Sequence, residues 1–86
     1  MMIIKLKDEI NTALDFNKSA SDLFDKINQM DEKEFIMDFE GIFYISMSFA
    51  QAYYASKKRS SKKVTEINLS DDVKPMMEMI EKQIMF

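Results

Sequence analysis

Asp38 and Glu40 are the two carboxylates of this chain best spaced for joint chemistry. One residue separates them, so on an extended strand both point to the same side and can converge on one ligand. Two carboxylates on one face are the start of a hard-metal site or an acid/base pair. Asp71 and Asp72 follow a later strand and approach the same sheet edge, although a negatively charged helix start is the simpler role for them. Asp38 interrupts the apolar run Phe35–Phe39, and a charge there is costly unless it is bonded or stands at the strand's end. Its simpler role is to accept amide protons from the following turn. Nothing completes a catalytic set around these carboxylates. The chain has no histidine and no cysteine, which removes the usual general base, thiolate nucleophiles and Zn–Cys sites. Its single glycine leaves no room for a Walker A loop or a dinucleotide fingerprint. No catalytic residue, metal site or cofactor is therefore expected.

Other polar groups have binding or structural roles. Ser46 and Ser48 open an Ala- and Tyr-rich segment, and a serine at a helix start accepts an amide proton from the first turn. That capping role is assigned to Ser46. Lys57, Lys58, Arg59, Lys62 and Lys63 crowd five cations into seven positions. They suit a helix C-terminus and a solvated turn; the alternative is a docking patch for an acidic partner or phosphate. No aromatic residue interleaves with them, which argues against single-stranded nucleic acid. Nine methionines are present. Met77 is assigned to the core, while Met76, Met79 and Phe86 lie to one side of the last helix as a candidate dimer or partner surface.

The elements that must position these groups follow from size and periodicity. With 86 residues, 47% hydrophobic and 31% charged, the chain is one folded domain with a modest core. A net charge of −3 gives no overall attraction to nucleic acid. The opening MMIIKLKDEI is broken by Lys5 and is too short for a signal peptide or membrane span, so a cytoplasmic protein with no membrane partner is expected. Met1 to Leu6 reads as a strand. Asp8 to Asn17 fits either a strand continuation or a loose second strand. Ser19 and Asp22 read as the cap of a helix whose apolar face is Ala20, Leu23, Phe24, Ile27 and Met30. Phe35–Phe39 is the central strand, covered by helices on one or both faces. Gly41 supplies a turn angle that other residues resist. A helix runs from Met47 to Arg59, and Val64–Leu69 alternates as a third strand. A last helix begins near Asp71 or Asp72, with Pro75 in its first turn and Val73, Met77, Ile80 and Ile84 on one face. The alternation of strands and helices predicts an α/β domain, a mainly parallel sheet covered by about three helices.

The stretch Asp38, Phe39, Gly41, Ile42, Ile45, Ser46, Ser48, Phe49 and Ala50 resembles the recurring pattern of short prokaryotic STAS-like domains, relatives of the anti-sigma factor antagonists. The likeness is tight from Asp38 to Ala50 and loose from Ser19 to Ile84. It implies a non-catalytic regulatory module whose helix from Met47 is read by a protein partner, with Tyr44, Ser46, Met47 and Ser48 as partner-binding residues. It also implies a histidine-kinase-type ATPase, or a related signalling protein, as that partner. In the antagonists a serine at this turn is phosphorylated. Aligned on the glycine and Ile45, Ser46 falls where they carry an aspartate, Met47 on the phosphoacceptor and Ser48 on the next serine. Ser48 is thus the candidate phosphorylation site. Two other classes stand beside this one. One is a small ligand- or metal-binding domain or enzyme using Asp38 and Glu40; the other is a structural subunit that adds its sheet edge to an oligomer.

Overall fold

The computed structural model describes residues 1–86. Its first strand, β1 (Met2–Lys5), is the β-branched run at the start of the chain. Leu6–Glu9 then closes one helical turn, α1, which buries Leu6. The ambiguous stretch after it contributes only β2, Ala13–Leu14. The remaining elements are α2 (Asn17–Asn28), β3 (Glu34–Asp38), β4 (Tyr44–Ile45), α3 (Met47–Arg59), β5 (Lys63–Ile67) and α4 (Lys74–Met85). The fold is α/β, with a parallel three-stranded sheet in the order β1-β3-β5. A second, minimal parallel pair joins β2 to β4.

Successive right-handed crossovers that step the same way across a sheet put their helices on one face. Burial agrees with that topology. Ile4, Phe35, Met37 and Val64 point to the covered side and are buried. Ile3 and Thr65, on the opposite side, are exposed, with Ile36 between them half-buried. The sheet is therefore covered on one face only. Parallel sheets are seldom left so.

α2 and α4 both pack against α3, and α3 reaches the covered face where Tyr53 meets Glu66 of β5. Leu23, Phe24 and Ile27 from α2, Phe49 and Tyr53 from α3, and Met77 and Ile80 from α4 complete the core. Tyr53 is fully buried at its centre. Its ring meets Phe24 edge-on at 5.2 Å, Tyr54 at 5.2 Å and Phe39 at 6.1 Å, and stacks near Phe49 at 6.2 Å. Its hydroxyl donates to Glu66 Oε2 at 2.7 Å, and Lys57 Nζ donates to both oxygens of the same carboxylate at 3.0 and 2.8 Å. A buried phenol thereby keeps its proton bonded, and the half-buried carboxylate keeps a counter-ion.

Three expected boundaries move. α2 begins at Asn17, so Ser19 is not its cap: the Ser19 amide donates to the Phe16 carbonyl at 3.1 Å, and Asp22 pairs with Lys18 instead of reaching back. The β2–β4 pair holds the chain through Leu14, and the helix starts almost as soon as the chain leaves it. β5 ends at Ile67, because Asn68 takes a left-handed φ of 59°, which asparagine tolerates better than most residues. α4 starts at Lys74, not near Asp71 or Asp72. The amides of Val73 and Lys74 both donate to the Ser70 carbonyl, closing a turn before the helix proper. Pro75 does lie in the first turn.

Ile27 and Ile80 are both fully buried. Ile27→Ala or Ile80→Ala should each cost ~2–5 kcal/mol by chemical denaturation. That is a large share of a small domain's ~5–15 kcal/mol. A variant that melts with the wild type would contradict this packing. A second expectation concerns alkali. Burial, with the nearby Glu66 carboxylate, raises the Tyr53 phenol well above its ordinary 10.0, and Tyr54 is raised mainly by burial too. Both folded values lie above the unfolded one. The neutral phenols thus contribute fully below about pH 10 and lose that contribution as pH rises toward the folded values. Tyrosinate absorbance from these two residues should appear only together with unfolding above that pH. Its appearance in the native protein would overturn the buried Tyr53–Glu66 bond.

Candidate functional site

The start of α3 is built by one side chain facing two ways. Ser46 adopts extended backbone angles, and its Oγ accepts the Phe49 amide proton at 3.0 Å. This is the helix cap expected for it. The same hydroxyl donates to the Asp15 carbonyl at 2.7 Å, and the Ser46 amide donates to the Leu14 carbonyl at 2.9 Å. Ser46 therefore fastens α3 to the end of β2 as well as opening the helix.

Four large apolar side chains stay exposed around this junction: Phe16 (73%), Phe43 (61%), Met47 (48%) and Tyr44 (47%). Backbone bonding brings them together. Phe43 donates its amide to the Thr12 carbonyl, Tyr44 pairs with Ala13, and Phe16 directly follows the Asp15 whose carbonyl Ser46 holds. Ser48, one residue into α3 from Met47, is exposed beside them. Tyr44, Met47 and Ser48 are thus all exposed near the start of α3, while Ser46 is half-buried. Phe16 and Phe43 were absent from the sequence-based set. Adjacent aromatics at 43 and 44 cannot both face inward from one strand, which was a usable signal. Phe16 had a weaker one, since it lies just before α2 and outside its apolar face.

The turn before this surface is set by Asp38 and Gly41. Asp38 is buried at the end of β3, where its Oδ1 accepts the Asn68 side-chain amide and the Glu40 backbone amide, each at 2.9 Å. These bonds, the Asn68 one first, hold its carboxyl below the usual range against the opposing effect of burial; Lys5 and Lys7 add to the lowering. Asp38 is thus the structural carboxylate of the turn. Glu40 does not share the strand with it, because β3 stops at Asp38, and its carboxylate pairs with Lys7 at 3.8 Å. No group of three or more Asp and Glu side chains stands close enough to hold a metal ion. Gly41 carries a φ of 81°, a conformation that side chains rarely adopt, and a Cβ there would lie 3.1 Å from Lys7 Cδ, so a larger residue would strain the turn.

The cationic cluster is largely committed to internal contacts. Lys57 neutralises Glu66. Lys58 donates to the Ile84 carbonyl at 2.9 Å, near the end of α4. Lys62 donates to the Met30 and Glu32 carbonyls, both at 2.6 Å, and closes the α2–β3 loop. Arg59 and Lys63 are exposed and make no side-chain hydrogen bond or ion pair, and Lys58 is exposed as well. On α4, Met77 is buried as expected, Met76 is half-buried, and Met79 and Phe86 are exposed. No helix is long and apolar enough to cross a membrane.

No protein-family model, curated protein or solved structure matches this chain.

Ser46→Ala removes both the cap and the link to Asp15. It should lower stability by about 1–2 kcal/mol. Ser48→Asp, at an exposed position in the first turn, should leave the melting temperature nearly unchanged. Thermal melts of the two variants separate the roles. A large loss in Ser48→Asp would mean that Ser48 is needed for folding.

Proposed function

We propose that this chain is a non-catalytic, STAS-like interaction module that docks a protein partner through the surface at the start of α3. The carrying observation is the group of exposed apolar side chains Phe16, Phe43, Tyr44 and Met47 around a rigidly fastened helix start. Large apolar groups gathered on a small protein mark a contact surface more often than isolated ones do, and aromatics and methionine are enriched where partners bind. The partner proposed is a histidine-kinase-type ATPase or a related signalling protein, with Ser48 as phosphoacceptor. A phosphate on Ser48 would lie near free amides of the first turn and be tolerated there. It would also place up to about two negative charges in the middle of an apolar contact. The module would remain folded while its complex is weakened. With Lys57, Lys58 and Lys62 held internally, no nucleic-acid role is proposed.

A photo-crosslinking residue at Met47 should trap an ATPase of this type in cells, and one at Met79 should not. Ser48→Asp should then weaken the isolated complex by about tenfold or more, equivalent to roughly 1.4 kcal/mol, without lowering the melting temperature. Trapping at Met79 alone would move the contact to α4 and sink this assignment. A stoichiometric micromolar site for Mg²⁺, Mn²⁺ or Zn²⁺ that is lost in Asp38→Asn would favour the ligand-binding reading instead.

A further inference from the structure

The two edges of the β1-β3-β5 sheet are unlike. β5 carries Lys63 and Glu66 in its five residues, and charged side chains on an edge discourage further pairing. β1 reads Met-Ile-Ile-Lys, with Met2 38% and Ile3 57% exposed and one charge at its very end. It bonds β3 on one side and no strand on the other. A groove of about 530 Å³ runs beside it, between the strand and Glu9 of α1, Lys26 of α2 and Met30 just beyond α2. Backbone amides and carbonyls along such an edge are satisfied by water or by another extended chain.

We propose that β1 pairs with β1 of a second copy, antiparallel about a two-fold axis normal to the sheet, so that two copies share one continuous sheet with all helices on the same side. The strand supplies its own complement, since it is short, β-branched and apolar, and a two-fold contact needs only one self-complementary surface. Charge fixes the direction. Lys5 forms no ion pair within the chain. Glu32 lies at the opposite end of β1, 3.2 Å from the Met1 ammonium. Antiparallel pairing carries each Lys5 to the start of the other strand, beside the partner's Glu32, and symmetry makes the contact twice.

The open sheet face is the rival surface, and its charges disfavour it. Charged side chains stand at both ends of that face: Glu34 beside Lys63, and Lys5 beside the buried Asp38, in the strand register. Stacking two such faces would desolvate these charges, a costly arrangement at an interface.

Sedimentation equilibrium of the full chain, from micromolar to several hundred micromolar, tests the proposal. The apparent mass should rise toward twice the 10.1 kDa of one chain. Lys5→Glu should weaken the dimer about tenfold, because two exposed pairs become repulsive. Lys5→Glu combined with Glu32→Lys should recover affinity to within about threefold of wild type. Ile3→Lys should give a folded monomer, since Ile3 is already exposed, with circular dichroism as the folding check. Met47→Asp, at the other surface, should dimerise normally. A wild type that remains monomeric at the highest concentration overturns the proposal. So does a dimer indifferent to Lys5→Glu, and that result stands even if Ile3→Lys fails to fold.

Discussion

The Tyr53 phenol is fully buried, and its proton must be given to something. That requirement organises the molecule. The acceptor is Glu66, so β5 must turn this carboxylate to the covered face, in line with Met37 of β3. A carboxylate there needs a cation, and Lys57, one helical turn beyond Tyr53 on α3, supplies it. The phenol therefore sets the rotation of α3 and the register of β5 together. Around it the rings of Phe24, Phe39, Phe49 and Tyr54 tie α2, the end of β3 and α3 to a single point. A core of this kind specifies one arrangement because every polar member is bonded; no buried side-chain polar atom lacks a partner.

The same economy explains the cations. A run of five positive charges reads as a patch when written as a line of residues. In three dimensions Lys58 and Lys62 donate to backbone carbonyls near helix ends, where the dipole leaves negative charge. Read as a surface feature, the run is mostly helix termination. The apolar groups at the α3 start show the converse. Tyr44 belongs to a two-residue strand that exposes it while burying Ile45, so one short element contributes to both core and surface.

Much of this was legible in the residues. The three main strands and three main helices follow from periodicity, and the Ser46 cap, the positive angle at Gly41 and the bonded role of Asp38 follow from local chemistry. α3 matches its expected limits at both ends, because Ser46 and the Lys57–Ser60 stretch are strong boundary signals. The errors lie where distant segments decide. β2 and β4 are two residues each, too short for any pattern to show, and exist only because they pair with each other. Ser19 has the right composition for a cap, but the β2–β4 pair upstream lets the helix begin before it. Glu40 seemed to share a strand with Asp38 until Asp38 bonded the Glu40 amide and turned the chain. The single covered face could not be read from β3 alone, whose middle residue Ile36 is as apolar as its neighbours.

Parallel pairing has a cost in time. Met2 pairs with Phe35, and nothing nearer in the chain can take its place. As the polypeptide leaves the ribosome, β1 emerges well before its partner, and neither α1 nor the short β2 satisfies its backbone. The β3–α3–β5 unit, by contrast, closes through one helix. Vectorial synthesis thus leaves the most apolar edge of the sheet waiting longest, in a nascent chain whose neighbours on a polysome carry the same unpaired segment.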